Sequence, residues 1–435
     1  FNSTDASVAI VDEKTGKSEV VGFGQGAITA WYSGQIAIAR ITSPWPNTIA
    51  DAVFAQAPRR NFIDELVLAQ LRQLNLKPSP PCTDSEFIRR AHLDVIGALP
   101  TPAETKAFLA STAKDKRYKL IDQLLVRPEF IDYWTYRWAD LFLISGKKLR
   151  PNALKAYYNW LRGEVAKNTP WDQLVRQVIT ARGDSMVRGA TNFYAIHQEP
   201  ETMAENVSQA FMSLSIGCAK CHNHPLEKWT NDQYYSFANL FARVRVKGWG
   251  GDARNGSGAR TLFIASRGDL LQPRTGKPQL PAPLDGAPVA NSATDRRAVL
   301  ADWLTSPDNP YFTRSIANRV WANFFGRGIV NPVDDLRVSN PATNEPLLKA
   351  LATHLAKNKY ALKSLMRTIL QSETYARSST PLAENIGDTR FYSRQYPRRL
   401  MAEVLQDAIT SVTQVSPKFA TITLADGSTQ NTTFY

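Results

Sequence analysis

Cys218-Ala219-Lys220-Cys221-His222 is the stretch around which the rest of this sequence can be organised. Two cysteines three positions apart, with histidine directly after the second, form the pattern for covalent attachment of a c-type haem. The spacing has a chemical reason, because two thiols must reach two vinyl groups on one edge of the porphyrin. The residue that follows then places an imidazole under the iron. The motif therefore predicts one covalent haem c, attached through Cys218 and Cys221.

Two other interpretations of the motif stay open. His224 follows two residues after His222, so Cys218, Cys221, His222 and His224 could supply two sulfurs and two nitrogens to zinc or to iron without haem. The two histidines are too close in sequence to complete an ordinary tetrahedral site easily. The remaining alternative is an inert pair of reduced thiols. The third cysteine, Cys82, lies in a proline-rich turn and is expected to be a lone thiol.

Helices are predicted on both sides of the motif. Apolar residues recur on one face between Glu201 and Ser215, and Gly217 is expected to end that helix. Thr230 and Gln233 have the spacing of a capping box and predict the start of another helix, which carries an aromatic face. The motif should therefore lie in a helix–loop–helix that provides a rigid wall for a porphyrin.

The predicted iron ligands differ in how well the sequence defines them. His222 is the expected proximal ligand. The distal candidates are chosen for their proximity in sequence and are Met203, Met212 and His197, with Met186 and His92 behind them. Methionine would raise the reduction potential, histidine would lower it, and an open position would permit small-molecule chemistry.

Other side chains are candidates for the surroundings of a haem. His224 is expected either to support the His222 ring or a propionate, or to stabilise the turn before Pro225. Trp229 is expected either to pack on the haem edge or to fill the core. The candidate partners for the propionates are basic and undifferentiated: Arg243, Arg245, Lys247, Arg319 and Arg398. Asp334, Asp335 and Arg337 are predicted to form a structural network of ion pairs.

The chain is predicted to be mainly α-helical, with a small β segment at its start. Residues 1–45 carry short β-branched and aromatic runs separated by turn signals, including Ser33-Gly34. Residues 58–245 and 295–435 show helical periodicity, with Thr101-Pro102 as a helix start. Between them, residues 246–294 are rich in glycine and proline and are predicted to be an ordered linker arm. The polar tail from Thr421 is predicted to contain no helix.

Composition narrows the range of functions. The chain has 435 residues, 43% of them hydrophobic and 21% charged, which is typical of a globular protein with two or three domains. No apolar run reaches the ~18 to 20 residues of a membrane span. The net charge of +13 is spread along the chain and favours an acidic partner, such as a redox protein or an anionic envelope polysaccharide. No motif indicates nucleic-acid binding.

At these residues the sequence resembles two planctomycete families. The segment from Cys218 to Trp229, continuing to Phe241, is similar to a planctomycete cytochrome-c-like domain, and Phe62 to Leu99 fits its start. The segments Arg296–Pro310 and Asn318–Gly326, with Ser372-Glu373-Thr374-Tyr375, resemble the second planctomycete-specific domain that usually follows. The opening 45 residues resemble part of a bacterial immunoglobulin-like module.

The resemblance implies a haem protein of the periplasm, the cell envelope or the exterior, but it implies no reaction. Haem attachment takes place outside the cytoplasmic membrane, so the motif leads to the same location. The start at Phe1 is expected to be a processed or internal boundary, and the chain is expected to continue beyond Tyr435. Electron transfer by a mono-haem cytochrome is the predicted function. The alternatives are a haem-dependent oxidase or peroxidase-like enzyme, and a structural envelope protein stapled by haem or metal.

Overall fold

The computed structural model describes residues 1–32, 35–197, 199–248, 258–290, 295–416, 422–423 and 429–430. The described chain is 44% helix and 10% strand, which confirms a mainly α fold. The predicted turn at Ser33-Gly34 lies outside the described residues, as do parts of the predicted linker and most of the tail. No described helix has the length and apolar character required to cross a membrane.

The chain opens with five short strands in two small antiparallel sheets. One sheet has the order β1-β4-β5, and β2 and β3 form a separate pair. β4 and β5 pair along their whole length, from Gly24 opposite Ser43 to Tyr32 opposite Gln35. The strands are β1 (Asn2–Ser3), β2 (Ala9–Val11), β3 (Ser18–Val20), β4 (Gly24–Tyr32) and β5 (Gln35–Ser43). The strand positions follow the sequence prediction, while the immunoglobulin-like relationship stays a prediction.

Helices make up most of the first half of the chain. Several of them begin with capping boxes, in which a threonine or asparagine side chain bonds to the third residue of the helix; Thr101 and Thr230 are two of these caps. The helices are α1 (Asp51–Gln56), α2 (Phe62–Gln73), α3 (Asp84–Ile96), α4 (Pro102–Ala110), α5 (Lys116–Leu124), α6 (Pro128–Leu141), α7 (Pro151–Ala166), α8 (Trp171–Ile179), α9 (Asn192–Ala195), α10 (Pro200–Met212) and α11 (Asn231–Ala238).

The segment between the two helical halves packs back on the first half. Three strands form a sheet of order β6-β8-β7, and Asn239 donates hydrogen bonds to the carbonyls of Leu270 (3.0 Å) and Gln279 (3.1 Å). The strands are β6 (Gly183–Asp184), β7 (Val244–Lys247) and β8 (Thr261–Ile264). Within the predicted linker, residues 249–257 and 291–294 lie outside the described part of the chain. The described remainder packs on the first half through these contacts.

The second half contains five described helices. They are α12 (Arg296–Leu304), α13 (Phe312–Phe325), α14 (Glu345–Lys357), α15 (Leu362–Leu370) and α16 (Ala402–Thr413), followed by the two-residue strands β9 (Ile422–Thr423) and β10 (Thr429–Gln430). The buried apolar residues of both halves belong to one continuous cluster.

Buried polar groups also join the two halves. Asp64 is fully buried in α2 and accepts hydrogen bonds from the backbone N–H and the hydroxyl of Thr374, both at 2.8 Å, and from the N–H of Glu373. The hydroxyl of Tyr375 donates to Asp94 of α3 at 2.8 Å. A buried carboxylate without such donors would be strongly destabilising, so these contacts fix the second half on the first.

The opening sheets also rest on the second half. Arg390 forms an ion pair of 2.7 Å with Asp5, and Arg40 donates to the carbonyl of Ala342 at 3.0 Å. The Trp45 ring packs edge-on against Phe391. The first 45 residues are therefore held by contacts more than 300 positions away in sequence.

The helix before the motif ends earlier than the sequence suggests. α10 stops at Met212, and Ser213 takes a left-handed conformation with φ of 55°. The Ser213 hydroxyl lies 2.7 Å from that of Ser315, and its carbonyl accepts a hydrogen bond of 2.8 Å from Leu336. Gly217, which was predicted to end the helix, instead begins the short 3-10 turn of the motif. The prediction was wrong because contacts distant in sequence stabilise the unusual backbone of Ser213.

Candidate functional site

The two motif cysteines lie on one short turn at the surface. Gly217–Lys220 forms a single 3-10 turn, and Cys221 follows it directly. Cys218 and Cys221 are both free thiols and both exposed, whereas Ala219 between them is fully buried and anchors the turn. Cys82 is free and buried, as predicted for a lone thiol. Two accessible thiols on one turn are what attachment to a shared group requires.

Asn231, the first residue of α11, holds this turn in place. Its buried side-chain amide donates to the carbonyls of Ala219 and Lys220, each at 2.9 Å. Its carbonyl oxygen accepts from Gln272 at 2.6 Å, and its backbone N–H donates to the side chain of Asn223 at 3.0 Å. Since both ends of the motif loop bond to one residue, the start of α11 determines the conformation of the loop.

Two glutamates of α10 lie beneath the turn. The Lys220 ammonium lies 3.9 Å from the carboxylate of Glu201. Glu205 accepts a hydrogen bond of 2.6 Å from the hydroxyl of Tyr234 and lies close to Gly217. Burial and this bond raise the pKa of Tyr234 well above its ordinary value. These residues and Asn231 were not predicted, although the four-residue spacing of the two glutamates would place them on one face of α10.

His222 is exposed and has one ring nitrogen engaged. Its Nδ1 lies 2.7 Å from the carbonyl oxygen of Asn223. A carbonyl only accepts, so Nδ1 is the donor in this contact, and in the neutral imidazole the lone pair available to iron is then on Nε2. Haem-ligating and metal-ligating imidazoles commonly have this arrangement. Two free thiols and this imidazole thus fit the attachment and proximal ligation of a haem.

His224 stabilises the loop after the motif. Its backbone N–H donates to the carbonyl of Trp229 at 2.8 Å, and its Nδ1 accepts from the N–H of Leu226 at 3.1 Å. Burial lowers the pKa of His224, and a hydrogen bond to the Ser215 carbonyl opposes that shift. Of its two predicted roles, these contacts support the one in the turn.

Trp229 lies in the core beside the second half of the chain. Its side chain is 1% exposed, its ring centroid lies 6.2 Å from that of Tyr311, and the Lys228 ammonium lies 4.8 Å above the ring. These contacts favour the core interpretation. A contact between Trp229 and a haem edge stays a prediction.

The three distal candidates are interior residues. Met203, Met212 and His197 are 1%, 0% and 4% exposed, whereas His222 is at the surface. The Nδ1 of His197 pairs with Asn206 at 3.2 Å, and its Nε2 is buried without a hydrogen-bond partner among the described residues. Burial, with a smaller effect of Lys148, lowers the pKa of His197 to about 4. The described contacts favour none of the three as the distal ligand. The assignment of a distal ligand from among them stays a prediction.

The motif residues do not form a metal-binding cluster in this arrangement. Across the described ranges, no three histidine, cysteine, aspartate or glutamate side chains converge well enough to hold a metal ion. The alternative in which Cys218, Cys221, His222 and His224 share one zinc ion is therefore not supported by the geometry. Haem attachment makes no such demand, because only His222 needs to reach the iron.

The loop after the motif docks on residues 335–339 of the second half. The buried carboxylate of Glu227 accepts from the N–H of Val338 at 2.5 Å, and Ser339 donates to the carbonyl of Leu226 at 3.1 Å. Burial raises the pKa of Glu227. Of the predicted network, Asp335 and Arg337 form an ion pair of 3.2 Å, whereas Asp334 instead accepts a hydrogen bond from Gln209 at 2.9 Å. The second half thus forms part of the support for the motif.

The proposed propionate partners lie in several places. Arg245 donates to the carbonyls of Ala242 and Val244, at 2.7 and 2.8 Å. Arg319 and Arg398 instead line a large cavity between the two halves. None of these contacts brings the basic candidates together around the motif.

Comparison with protein families identifies two domains in this order. Residues 62–246 match PSCyt2, described as a protein of unknown function (DUF1549), and residues 296–421 match PSD1, described as a protein of unknown function (DUF1553). The two matches support the planctomycete-type pair of domains. No curated protein and no solved structure matches the chain.

Proposed function

We propose that this chain is an extracytoplasmic mono-haem c-type cytochrome that transfers electrons. Cys218 and Cys221 would carry the porphyrin, and His222 would ligate the iron through Nε2. The observation that carries the proposal is the pairing of two exposed, free thiols on one turn with an imidazole whose other nitrogen is already bonded.

The chain presents the two thiols that haem attachment would use. Each thiol would add across one vinyl group, so that a carbon–sulfur bond would replace the S–H bond and the hydrogen would pass to the other vinyl carbon. No oxidant or reductant is consumed, provided that both cysteines are reduced. The bound haem would supply one-electron chemistry at the iron. Asn231 fixes the separation of the thiols by holding the two carbonyls between them.

The surface position of the motif suits exchange of electrons with a partner protein. A group attached there would lie near solvent, and the net charge of +13 favours an acidic partner. An anionic envelope polysaccharide is an alternative partner, because it is negatively charged like an acidic protein. The buried positions of Met203, Met212 and His197 leave the second axial ligand to experiment.

The proposal is tested by expressing the chain with a haem-attachment system outside the cytoplasmic membrane. The purified protein is examined by a pyridine haemochrome assay and by reduced-minus-oxidised spectra with and without carbon monoxide. A c-type signal is expected, and Cys218→Ala and Cys221→Ala should each remove one thioether. Cys82→Ala is the matched control, because Cys82 is free but buried, and it should retain both bonds.

The outcomes separate the candidate functions. A c-type signal that carbon monoxide does not shift indicates six-coordinate iron and supports electron transfer. A shifted signal indicates an accessible iron and favours the enzyme alternative. The absence of covalent haem from correctly folded protein would overturn the proposal, and metal analysis would then test the structural alternative.

A further inference from the structure

A cavity of about 650 Å³ lies between the two halves of the chain, apart from the cysteine turn. α6 and α10 of the first half form one side, while α13 and residues 398–404 of the second half form the other. Ligand-binding cavities usually occupy ~300 to 1,000 Å³ and often lie where two domains meet. The size and position are therefore those of a small-molecule site.

Four arginines and three aspartates line this cavity. Two of the arginines have unused donors, because the Nε atoms of Arg137 and Arg319 are buried without a hydrogen-bond partner among the described residues. The Arg137 guanidinium lies 5.4 Å from the centre of the Tyr133 ring, and Arg319 donates to the carbonyl of Gln209 at 3.0 Å. Neither guanidinium forms an ion pair with a carboxylate among the described residues, so both leave positive charge at the cavity wall that can pair with a ligand anion.

A third arginine is already occupied. Arg398 bonds to the carboxylate of Asp94 and to the carbonyl of Asn323. Tyr375 also donates to Asp94, whose pKa is raised by burial. This group therefore serves as a fixed wall of the cavity, while Arg137, Arg319 and the exposed Arg399 supply the remaining positive charge.

The remaining polar lining suits hydroxyl groups. Gln209 and Asn323 carry amides, which can donate as well as accept, and Gln209 bonds to Asp334 at 2.9 Å. The amide nitrogen of Asn206 is already bonded to the Thr202 carbonyl and to His197, so Asn206 offers a ligand only its carbonyl oxygen. Asp140 also lines the cavity and would repel a ligand covered in negative charge, but its carboxylate can accept from hydroxyls. The combination favours a ligand that has an acidic group together with several hydroxyls.

We propose that this cavity binds an acidic sugar, with a carboxylate or sulfate held by Arg137 and Arg319 and hydroxyls held by the amides and Asp140. Guanidinium groups match the planar oxygens of carboxylates and the oxygens of sulfate, and they bind them more strongly than they bind neutral groups. The proposal does not depend on the presence of haem, because the residues that carry it lie outside the cysteine motif.

The test measures binding of three probes to the whole chain by calorimetry at low salt. They are a galacturonate disaccharide, a sulfated galactose disaccharide and neutral galactobiose. At least one charged probe should bind about 10-fold or more tightly than the neutral one, as expected for charge-assisted hydrogen bonds. The charged probe that binds identifies the carboxylate or the sulfate as the recognised group.

Substitutions distinguish binding at this cavity from general attraction to a basic protein. Arg137→Gln and Arg319→Gln should each weaken binding of the charged probe about 10-fold. Arg176→Gln should not, because Arg176 of α8 lies outside the cavity lining and is paired with Asp302 of α12. Asp140→Asn should strengthen binding of the charged probe a few-fold, because asparagine still accepts from a hydroxyl but no longer repels the acidic group. Misfolding cannot produce such a gain. Equal binding of charged and neutral probes, no binding of any probe, or an equal loss with Arg176→Gln would overturn the proposal.

Discussion

Replacing Asn231 with alanine should release the cysteine turn from α11. The change removes two donated bonds of 2.9 Å, to the carbonyls of Ala219 and Lys220, and one accepted bond of 2.6 Å from Gln272. A neutral hydrogen bond contributes about 1 kcal/mol net, so the free energy of unfolding should fall by about 2 to 3 kcal/mol. The turn should also become less ordered, because the Ala219 carbonyl loses its donor from Asn231 and the Lys220 carbonyl keeps only the longer bond of 3.3 Å from the Tyr235 hydroxyl.

The two effects are measured separately. Urea unfolding gives the stability, and the amount of covalent haem per folded chain reports how well the two thiols are presented together. Asn239→Ala is the matched control, since Asn239 is also buried at the end of α11 and bonds to two carbonyls, those of Leu270 and Gln279. It should lose similar stability and keep its haem yield. If both variants lose haem equally, the positioning role assigned to Asn231 is wrong.

Three further changes test the surrounding structure. Because burial raises the pKa of Glu227 above its ordinary 4.5, the folded chain should lose stability as the pH rises through that raised pKa. Glu227→Gln lacks this titration, so its stability relative to the parent should increase with pH in urea unfolding between about pH 4 and 7. Gly97→Ala should cost about 2 to 3 kcal/mol in the same assay, because Gly97 has φ of 67° and an added Cβ would lie 2.5 Å from the Tyr133 ring. Trp229→Phe should leave the haem absorption bands unchanged, since the Trp229 ring lies in the core.

The glycine substitution has a control variant, and each of the three predictions has an outcome that would contradict it. Gly276→Ala shares the positive φ, at 65°, but its Cβ would meet nothing within 4 Å, so it should cost only about 1 to 2 kcal/mol. Equal losses at the two glycines would show that the contact with Tyr133 is unimportant. A constant difference between Glu227→Gln and the parent across the pH range would argue against the raised pKa. A shifted haem band in Trp229→Phe would support the interpretation in which Trp229 packs on the haem edge.

The features predicted correctly from the sequence are those set by neighbouring residues. Thr101 and Thr230 cap their helices because each hydroxyl reaches the backbone N–H three positions ahead, wherever the rest of the chain lies. The end of α10 was misplaced because Ser213 is supported by Ser315 and Leu336, which are more than 100 positions away. No local pattern reports such contacts.

The same distinction applies to the sites. The residues of the cysteine turn are contiguous, so the sequence alone predicts them. The support from Asn231 depends on how the chain folds between Cys221 and α11, which the sequence pattern does not show. The cavity was not predicted because Arg137, Arg319 and Asn206 come from three separate helices. From its sequence position alone, Arg319 is a candidate only for pairing with a haem propionate.

The buried carboxylate of Asp64 has a consequence for how such chains are inherited. Asp64 belongs to the segment that matches PSCyt2, and its donors Glu373 and Thr374 belong to the segment that matches PSD1. Separate production of either segment would expose a large part of the shared core. The Asp64 carboxylate would lose its donors from Glu373 and Thr374 and keep only the N–H groups of Arg60 and Asn61. A gene that encoded one segment alone would yield an aggregation-prone product. Selection should therefore keep the two segments together in one reading frame, although sequence comparison divides them into two families.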